Sequence, residues 1–416
     1  MHIFTLLSLI TLTTATLEVL STNNRPTCIV KPLGQHQNDV PTILAAFKQC
    51  GHSGTIIFPE NETYWIAERL NPHVEDVTID WRGTWLFSDN LTYWRENSYP
   101  IAFQNHAAGF VLSGSGIRIN GHGMGSINGN GQVWYTDEAG TTQPGRPMPF
   151  VFWNVTNVDV SNFAVDQPQL WSINIMNGTN MKLDNIRVTV NETSGPEGEN
   201  WAQNTDGFDT MDATNITLQN FTFSGGDDCI AIKPRSYNIR IANVTCHGGN
   251  GIAIGSLGQY LEDSSVEDVV IDNAKVPRTR FGTYIKTWMG RLVPQPDDYE
   301  SEYLPRGGGW GVVRDITFSN VDVGEAQRAV VITQDNGDDD DGSFAGTSKM
   351  EISGVRFANY TGVLGTGNTV TVSCSEVNPC FDVGFEEWEV LGEDGEEIPG
   401  ECKWTEEGGV VGLDGC

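Results

Sequence analysis

Three aspartates stand at spacings that a repeating chain could gather into one place. Asp206 lies in Asn204-Thr205-Asp206-Gly207-Phe208-Asp209, and the other two lie in Gly225-Gly226-Asp227-Asp228-Cys229-Ile230-Ala231-Ile232-Lys233. A third segment, Gly248-Gly249-Asn250-Gly251-Ile252-Ala253-Ile254-Gly255-Ser256, continues the series. Aligning Gly207, Cys229 and Gly251 gives two steps of 22 residues. If one step is one coil, Asp206, Asp228 and Asn250 stack in a column, with Asp227 one position earlier in the middle coil. Neighbouring strand residues point to opposite faces, so both aspartates reach one cleft only through a turn, and Gly225-Gly226 permits one. Carboxylates about 5 Å apart repel, which raises the pKa of one member of the cluster. A protonated carboxyl beside an ionised one is what glycosidic hydrolysis uses: an acid for the leaving oxygen and a base for water. Asp209 reads as a turn cap.

The elements that would position these groups are short strands. One pattern recurs, an alternating apolar run, an asparagine, then more alternation: NVDVSNFAV (157–165), MKLDNIRVTV (181–190), ITLQNFTF (216–223), IRIANVTC (239–246), VVIDNAKV (269–276), ITFSNVDV (316–323) and VRFANYTG (355–362). Period-2 alternation without a helical stripe denotes β-strands. The registered asparagines are Asn162, Asn185, Asn220, Asn243, Asn273, Asn320 and Asn359, separated by 23, 35, 23, 30, 47 and 39 residues. A step near 23 fits one coil of a parallel β-helix better than a propeller blade of about 40–45 residues. Stacked coils would let these asparagines hydrogen-bond from coil to coil inside a turn. The sequons at Asn220, Asn243 and Asn359 would then point inward. The Pro41-containing segment Val40 to Cys50 has helical spacing and could cap the open N-terminal end. Glu386 to Cys416 reads as a C-terminal cap.

Composition narrows the setting. The 416 residues include 47 glycines and eight cysteines, with a formal net charge of −30. Such acidity argues against nucleic acid and anionic membranes as partners. It also makes an anionic substrate awkward, unless acidic surroundings protonate some carboxylates or the cleft carries a local basic patch. Ile3 to Leu12 is an apolar core before Thr13-Thr14-Ala15, the pattern of a secretory signal over residues 1–15. An even cysteine count suits export, and near neighbours stand out as pairs: Cys28/Cys50, Cys229/Cys246, Cys374/Cys380 and Cys402/Cys416. None has the C-x-x-C spacing of a zinc site, so all are read as disulfides, with connectivity left open. Nine N-x-S/T sequons, at Asn61, Asn90, Asn154, Asn177, Asn191, Asn215, Asn220, Asn243 and Asn359, fit a secreted glycoprotein. The run Asp338 to Asp341 lacks the spaced ligands of a Ca²⁺ loop and reads as a solvated acidic loop.

The segments NTDGFD, GGDDCIAIK, GGNGIAIGSLGQY and YIKTW (284–288) together resemble the glycoside hydrolase family 28 polygalacturonases, over roughly residues 110–380. The resemblance implies a right-handed parallel β-helix and inverting hydrolysis without metal or cofactor. It makes Asp227 the general acid, has Asp206 and Asp228 hold the attacking water, and matches Cys229–Cys246 to a family disulfide. Two departures stand out. Asn250 replaces the histidine of the family's G-H-G turn; His247, three residues earlier, lies outside the 22-residue register. The family's R-I-K motif is here Tyr284-Ile285-Lys286, which keeps the lysine that grips a uronate carboxylate.

These readings assign Lys286, Asn250, Tyr284, Asn204 and His247 to substrate binding, with Tyr284 and Trp288 able to stack on a sugar. The expected molecule is a secreted monomer, residues 16–416 forming one catalytic domain that acts on a pectic polysaccharide. Gly255 to Tyr260 resembles exo-acting relatives. That favours removal of galacturonate from chain ends, with an exo-acting rhamnogalacturonan hydrolase or α-L-rhamnosidase as the alternative. An endo-polygalacturonase is disfavoured by the two departures. A pectate-lyase-like eliminase would need Ca²⁺ and a basic proton abstractor, and a non-catalytic binder would have no use for three carboxylates. The insertions Val133 to Pro149 and Met289 to Gly309 are candidates for a wall that blocks one end of the cleft.

Overall fold

The computed structural model describes residues 17–22, 25–293, 305–338, 342–367 and 369–416. The signal segment, most of the acidic run after Asp338 and the middle of the Met289 to Gly309 insertion lie outside them. Almost every strand belongs to one continuous parallel system, a right-handed β-helix in which each coil pairs with the coils before and after it. The seven asparagine motifs all begin within strands, among them Val151–Asp166, Ile173–Thr189, Phe208–Ser224 and Ser236–His247. Alternate residues face the interior. Ile216, Leu218, Phe221 and Phe223 are buried, as are Ile239, Ile241, Val244 and Cys246 one coil later. Each such side chain contributes about 1.5–3 kcal/mol through burial, and the stacked rows form one core along the solenoid.

The strands turn corners without breaking, because single residues take a left-handed conformation. Asn162, Asn185, Asn220, Asn243, Asn273, Asn320 and Asn359 all have φ between 53° and 57°. Asparagine tolerates this region better than other residues with a Cβ, which explains its recurrence. The amides do stack from coil to coil: Asn185 Nδ2 donates to Asn162 Oδ1 at 2.8 Å, Asn243 to Asn220 at 3.1 Å and Asn273 to Asn243 at 2.8 Å. The stack is on the outside, however. Asn220, Asn243 and Asn359 are exposed, so these sequons face solvent rather than the interior. At such a corner the interior is filled by the flanking apolar residues. A second outer ladder, Asn157, Asn180, Asn215 and Asn238, marks another corner.

At the N-terminal end the helix Val40–Cys50 buries Val40, Ile43, Ala46, Phe47 and Cys50 and packs on the strand Arg25–Val30. The bond Cys28–Cys50 ties the two together. The other disulfides are Cys229–Cys246, Cys374–Cys380 and Cys402–Cys416, the near-neighbour pairs throughout. At the C-terminal end Glu386 and its neighbours continue the coils in the strand Phe381–Leu391, which pairs with Lys349–Val363. Only the short strands Gly400–Lys403 and Val410–Val411 follow, the former tied down through Cys402–Cys416.

Asn185, which is not in a sequon, isolates the corner effect. Asn185→Val forces a β-branched residue into the left-handed region, a cost of about 1–2 kcal/mol. It should lower the thermal midpoint measured by circular dichroism, whereas Asn185→Gly, which loses only the amide contact, should lower it less.

Candidate active site

The aspartates sit at the start of adjacent strands in one sheet of the helix. Phe208–Ser224 pairs with Asp228–Ile232, Phe208 beside Ile230, and the Gly207 N–H donates to the Asp228 carbonyl at 2.8 Å. Asp206 and Asp228 are therefore coil-to-coil neighbours, as the 22-residue step requires. The next step is not regular. Asp228 pairs with Gly251 while Ile230 pairs with Ile252, so a bulge intervenes. It shifts Asn250 out of the column and onto Asp227: the Asn250 N–H donates to the Asp227 carbonyl at 2.9 Å and its Nδ2 to Asp227 Oδ1 at 2.8 Å. From the other side the Asn204 N–H donates to Asp227 Oδ2 at 2.6 Å. Two columns result, Asp206 on Asp228 and Asn204–Asp227–Asn250.

Gly225 and Gly226 serve this arrangement by their size rather than by unusual dihedrals, since neither has a left-handed φ. A Cβ on Gly225 would lie 2.3 Å from the Phe223 ring, and one on Gly226 would lie 2.8 Å from the Ala202 carbonyl oxygen. The chain comes close to its neighbours there, and both Asp227 and Asp228 then line one cavity of about 160 Å³. Asp206, Asn204, Lys233, Lys286, Trp171, Gln104, Ser256, Trp288 and Asn336 complete its lining.

Charge is divided unevenly among the three carboxyl groups. Burial pushes Asp227 above the ordinary carboxylate value, and the neighbouring Asp228 adds to this against the pull of Lys286 and two backbone N–H groups. Burial also pushes Asp228 upward, but there Lys286, Lys233 and the Tyr284 hydroxyl prevail and hold it below the ordinary value. Lys286 Nζ lies 2.9 Å from Asp228 Oδ2, and the Tyr284 hydroxyl donates to Asp228 Oδ1. Asp206 is held well above the ordinary range by burial and by its neighbours Asp209 and Asp227. The cluster thus holds an ionised carboxylate, Asp228, between two groups that favour the proton.

Beneath the cluster is a buried ion group that the sequence reading missed. Lys233 Nζ lies 3.5 Å from Asp206 and 3.2 Å from Asp209, and 3.9 Å from the centre of the Trp171 ring. Asp209 is therefore no turn cap. It is a buried strand residue whose carboxyl burial raises to about 6, against the pull of Lys233. Three residues after Asp206 and paired with Ala231, it was within reach of the same register argument. Gln104 and His106 had no such signal, because they enter from an excursion outside the repeat, whereas Trp171 lies one coil before Asp206 in the same register, its neighbour Ser172 donating its N–H to the Asp206 carbonyl at 2.7 Å. His106 packs edge-on against Trp171 at 4.2 Å, and burial, with Lys233 and Arg146 nearby, holds its pKa well below the ordinary value.

Asp206, Asp227 and Asp228 each offer an oxygen within 4.8 Å of the others, a spacing that a divalent cation could bridge. Two of the three carboxylates already face an ammonium group, Lys233 at Asp206 and Lys286 at Asp228. The protein itself thus supplies the compensating charge.

The model of glycosyl hydrolases family 28 matches residues 55–406. The chain belongs to this family. It is 59% identical over 404 residues to a protein of Aspergillus niger named galacturan 1,4-alpha-galacturonidase C, covering 95% of this chain and 94% of that one. A second Aspergillus niger protein, named alpha-L-rhamnosidase rgxB, is 35% identical over 367 residues, 87% of this chain and 83% of its own. Among solved structures, endo-xylogalacturonan hydrolase from Aspergillus tubingensis shares the fold with a TM-score of 0.79 at 24% identity, covering 94% of this chain and all of that one.

Within this family-28 site, four of the residues assigned to substrate binding also contact the acidic cluster. Tyr284 is buried, its ring 4.7 Å from that of Phe281 and its hydroxyl on Asp228, so no face is open to a sugar. Lys286 is engaged by Asp228 rather than free to grip a uronate alone. Asn204 and Asn250 hold Asp227. His247 is exposed at the end of Ser236–His247 and is not part of the cavity lining, because its neighbour in the adjacent coil is Ser224. Trp288 does line the cavity.

Lys286→Met removes the nearest positive charge from Asp228. We expect the Asp228 pKa to rise by about one unit or more, measured by carbon NMR of labelled aspartate. An unchanged value would mean that Lys286 does not keep Asp228 ionised.

Proposed function

We propose that residues 16–416 act as a single secreted catalytic domain that removes galacturonate from the ends of a pectic polysaccharide. Asp227 donates the proton to the leaving oxygen, and Asp228 takes one from the attacking water, which Asp206 helps to hold. The observation that carries the chemistry is the opposite displacement of two adjacent carboxyls, Asp227 upward and Asp228 downward. This difference separates acid from base. The galacturonate assignment rests on the relative at 59% identity. The relative named a rhamnosidase supports rhamnose as a second reading, at 35% identity.

End-on action is supported by the wall around the cavity. Tyr99–Ile101, His106–Ala108 and Pro147–Met148 form a small separate sheet that joins two excursions from the coils. Within the second, Arg146 binds Glu138 at 2.7 Å and the Gln203 carbonyl at 2.5 Å, and the Thr142 hydroxyl donates to Asn204 Oδ1 at 2.8 Å. The Val133 to Pro149 insertion is thereby fastened beside the aspartates. Gln104 in the first excursion donates to Gln259 at 2.6 Å, and Phe103 meets Tyr260 at 5.7 Å. The described ends of the other insertion join the same wall, with the Gly309 N–H on the Gly258 carbonyl at 3.0 Å. A cavity of 160 Å³ is well below the ~300–1,000 Å³ of common ligand pockets and suits one terminal sugar.

The close carboxylates bear on stereochemistry. A separation within 4.8 Å is nearer the ~5–5.5 Å of retaining enzymes than the ~6.5–9.5 Å of inverting ones. Both Asp228 oxygens are nonetheless occupied, one by Tyr284 and one by Lys286. A carboxylate so engaged is a weak nucleophile, which leaves water as the attacking group, and the inversion that the family-28 resemblance implies is the expected outcome.

Digestion of polygalacturonate should release monomer from the first minutes, with inverted configuration by proton NMR and slow loss of viscosity. Rapid thinning with mixed oligomers would overturn end-on action, and rhamnose from rhamnogalacturonan would favour the second reading. Asp227→Asn should lower turnover by at least ~10² with the fold intact; a folded variant of normal rate would remove Asp227 from the mechanism.

A further inference from the structure

A galacturonate polymer brings one carboxylate per sugar to a chain whose formal net charge is −30. A bound run of uronates is therefore favoured by any cation near the cluster that is not already neutralised. Lys233 is shared by Asp206 and Asp209, and Lys286 is taken by Asp228. Lys233 is enclosed by its two acids; Lys286 is partly exposed and lines the walled cavity, where it can face the terminal sugar while it holds Asp228. On the other side of Asp227 the situation differs. Asn250, whose amide holds Asp227, also lines a second cavity of about 370 Å³, together with Asn200, Arg278 and Arg280.

Arg280 has no carboxylate within ion-pair distance among the described residues. Its guanidinium lies 5.1 Å from the centre of the Phe281 ring, Phe281 packs on Tyr284 at 4.7 Å, and Tyr284 bonds Asp228. The Arg280 N–H is fixed on the Gly249 carbonyl at 2.8 Å, in the coil that carries Asn250. The free cation is thus registered on the same frame as the carboxyl groups. Two acids also line this cavity, but both are engaged by their own loop. Glu192 accepts from the Gly195 N–H at 2.7 Å, and Glu199 from the Trp201 indole at 3.0 Å. Arg278 faces Glu325 at 3.7 Å, both exposed, and is the weaker candidate.

We propose that this second cavity binds the uronate on the far side of the scissile bond, with Arg280 holding its carboxylate; the proposal rests on the galacturonan reading above. The planar guanidinium can meet a carboxylate with two parallel N–H donors. Asp227 then lies between the two cavities, where its proton can reach the oxygen that joins the two sugars. The walled cavity takes the terminal sugar and the Arg280 cavity the next one.

Binding is measured by calorimetry in an Asp227→Asn background, so that nothing is consumed. The probes are trigalacturonate and its fully methyl-esterified form, with thermal melting as the check on folding. Adding Arg280→Gln should weaken trigalacturonate by about tenfold or more, the scale of a lost charge-assisted pair. The ester should bind as before, and Arg280→Lys should recover part of the loss. Equal affinity for trigalacturonate with and without Arg280, or an equal loss for both probes, would overturn the proposal. Failure of the galacturonan reading would show separately, as no galacturonate released from polygalacturonate by the unmodified protein.

Discussion

Parallel stacking sets the distance between equivalent residues of successive coils at about 4.8 Å, and the chemistry of this protein is built on that spacing. A carboxylate placed at one position of the coil meets its counterpart from the next coil at interaction distance. The bulge between Asp228 and Ile230 then changes which residues meet. It separates Asp227 from the Asp206–Asp228 column and puts it between Asn204 and Asn250. Without it, Asn250 would stack on Asp228, and Asp227 would lose the amide that orients it. One irregular step thus creates two environments from two consecutive aspartates.

Those environments differ in what compensates the charge. Asp228 has an ammonium and a phenol, Asp227 has amides, and Asp206 shares one buried lysine with Asp209. Buried charges are tolerated only when paired, and Lys233 answers to two acids at once. This allotment uses the cations nearest the reaction on the protein itself. Beside the cluster, the Arg280 guanidinium has no carboxylate partner among the described residues, in contrast to these cations.

The fold was legible because its signal is repeated: the asparagine at each corner and the apolar alternation around it recur in seven segments. What was misjudged is the direction of the asparagine side chains. Periodicity shows that a residue recurs at a corner, but a left-handed φ decides that its side chain faces outward. The 22-residue step likewise placed Asp206 beside Asp228 correctly, yet counting residues cannot reveal a bulge, so Asn250 was put on the wrong aspartate. Asp209 and Lys233 lie within segments already singled out, Asp209 read as a turn cap and Lys233 without a role; the 22-residue step sets them in neighbouring coils, but it does not say that they are buried together. Gln104 and His106 reach the site from an excursion outside the repeat, where register has no force. Lys286 and Tyr284 are read as substrate contacts from the family's R-I-K motif and from the stacking capacity of a phenol ring, neither of which shows that both also hold Asp228.

The central claim is that Asp227 carries a proton while Asp228 does not, in the same cluster and at the same pH. Neutron diffraction from crystals exchanged into heavy water at mildly acidic pH observes this directly. The account predicts deuterium on the Asp227 carboxyl and none on Asp228. Deuterium on Asp228 with a bare Asp227 would contradict it.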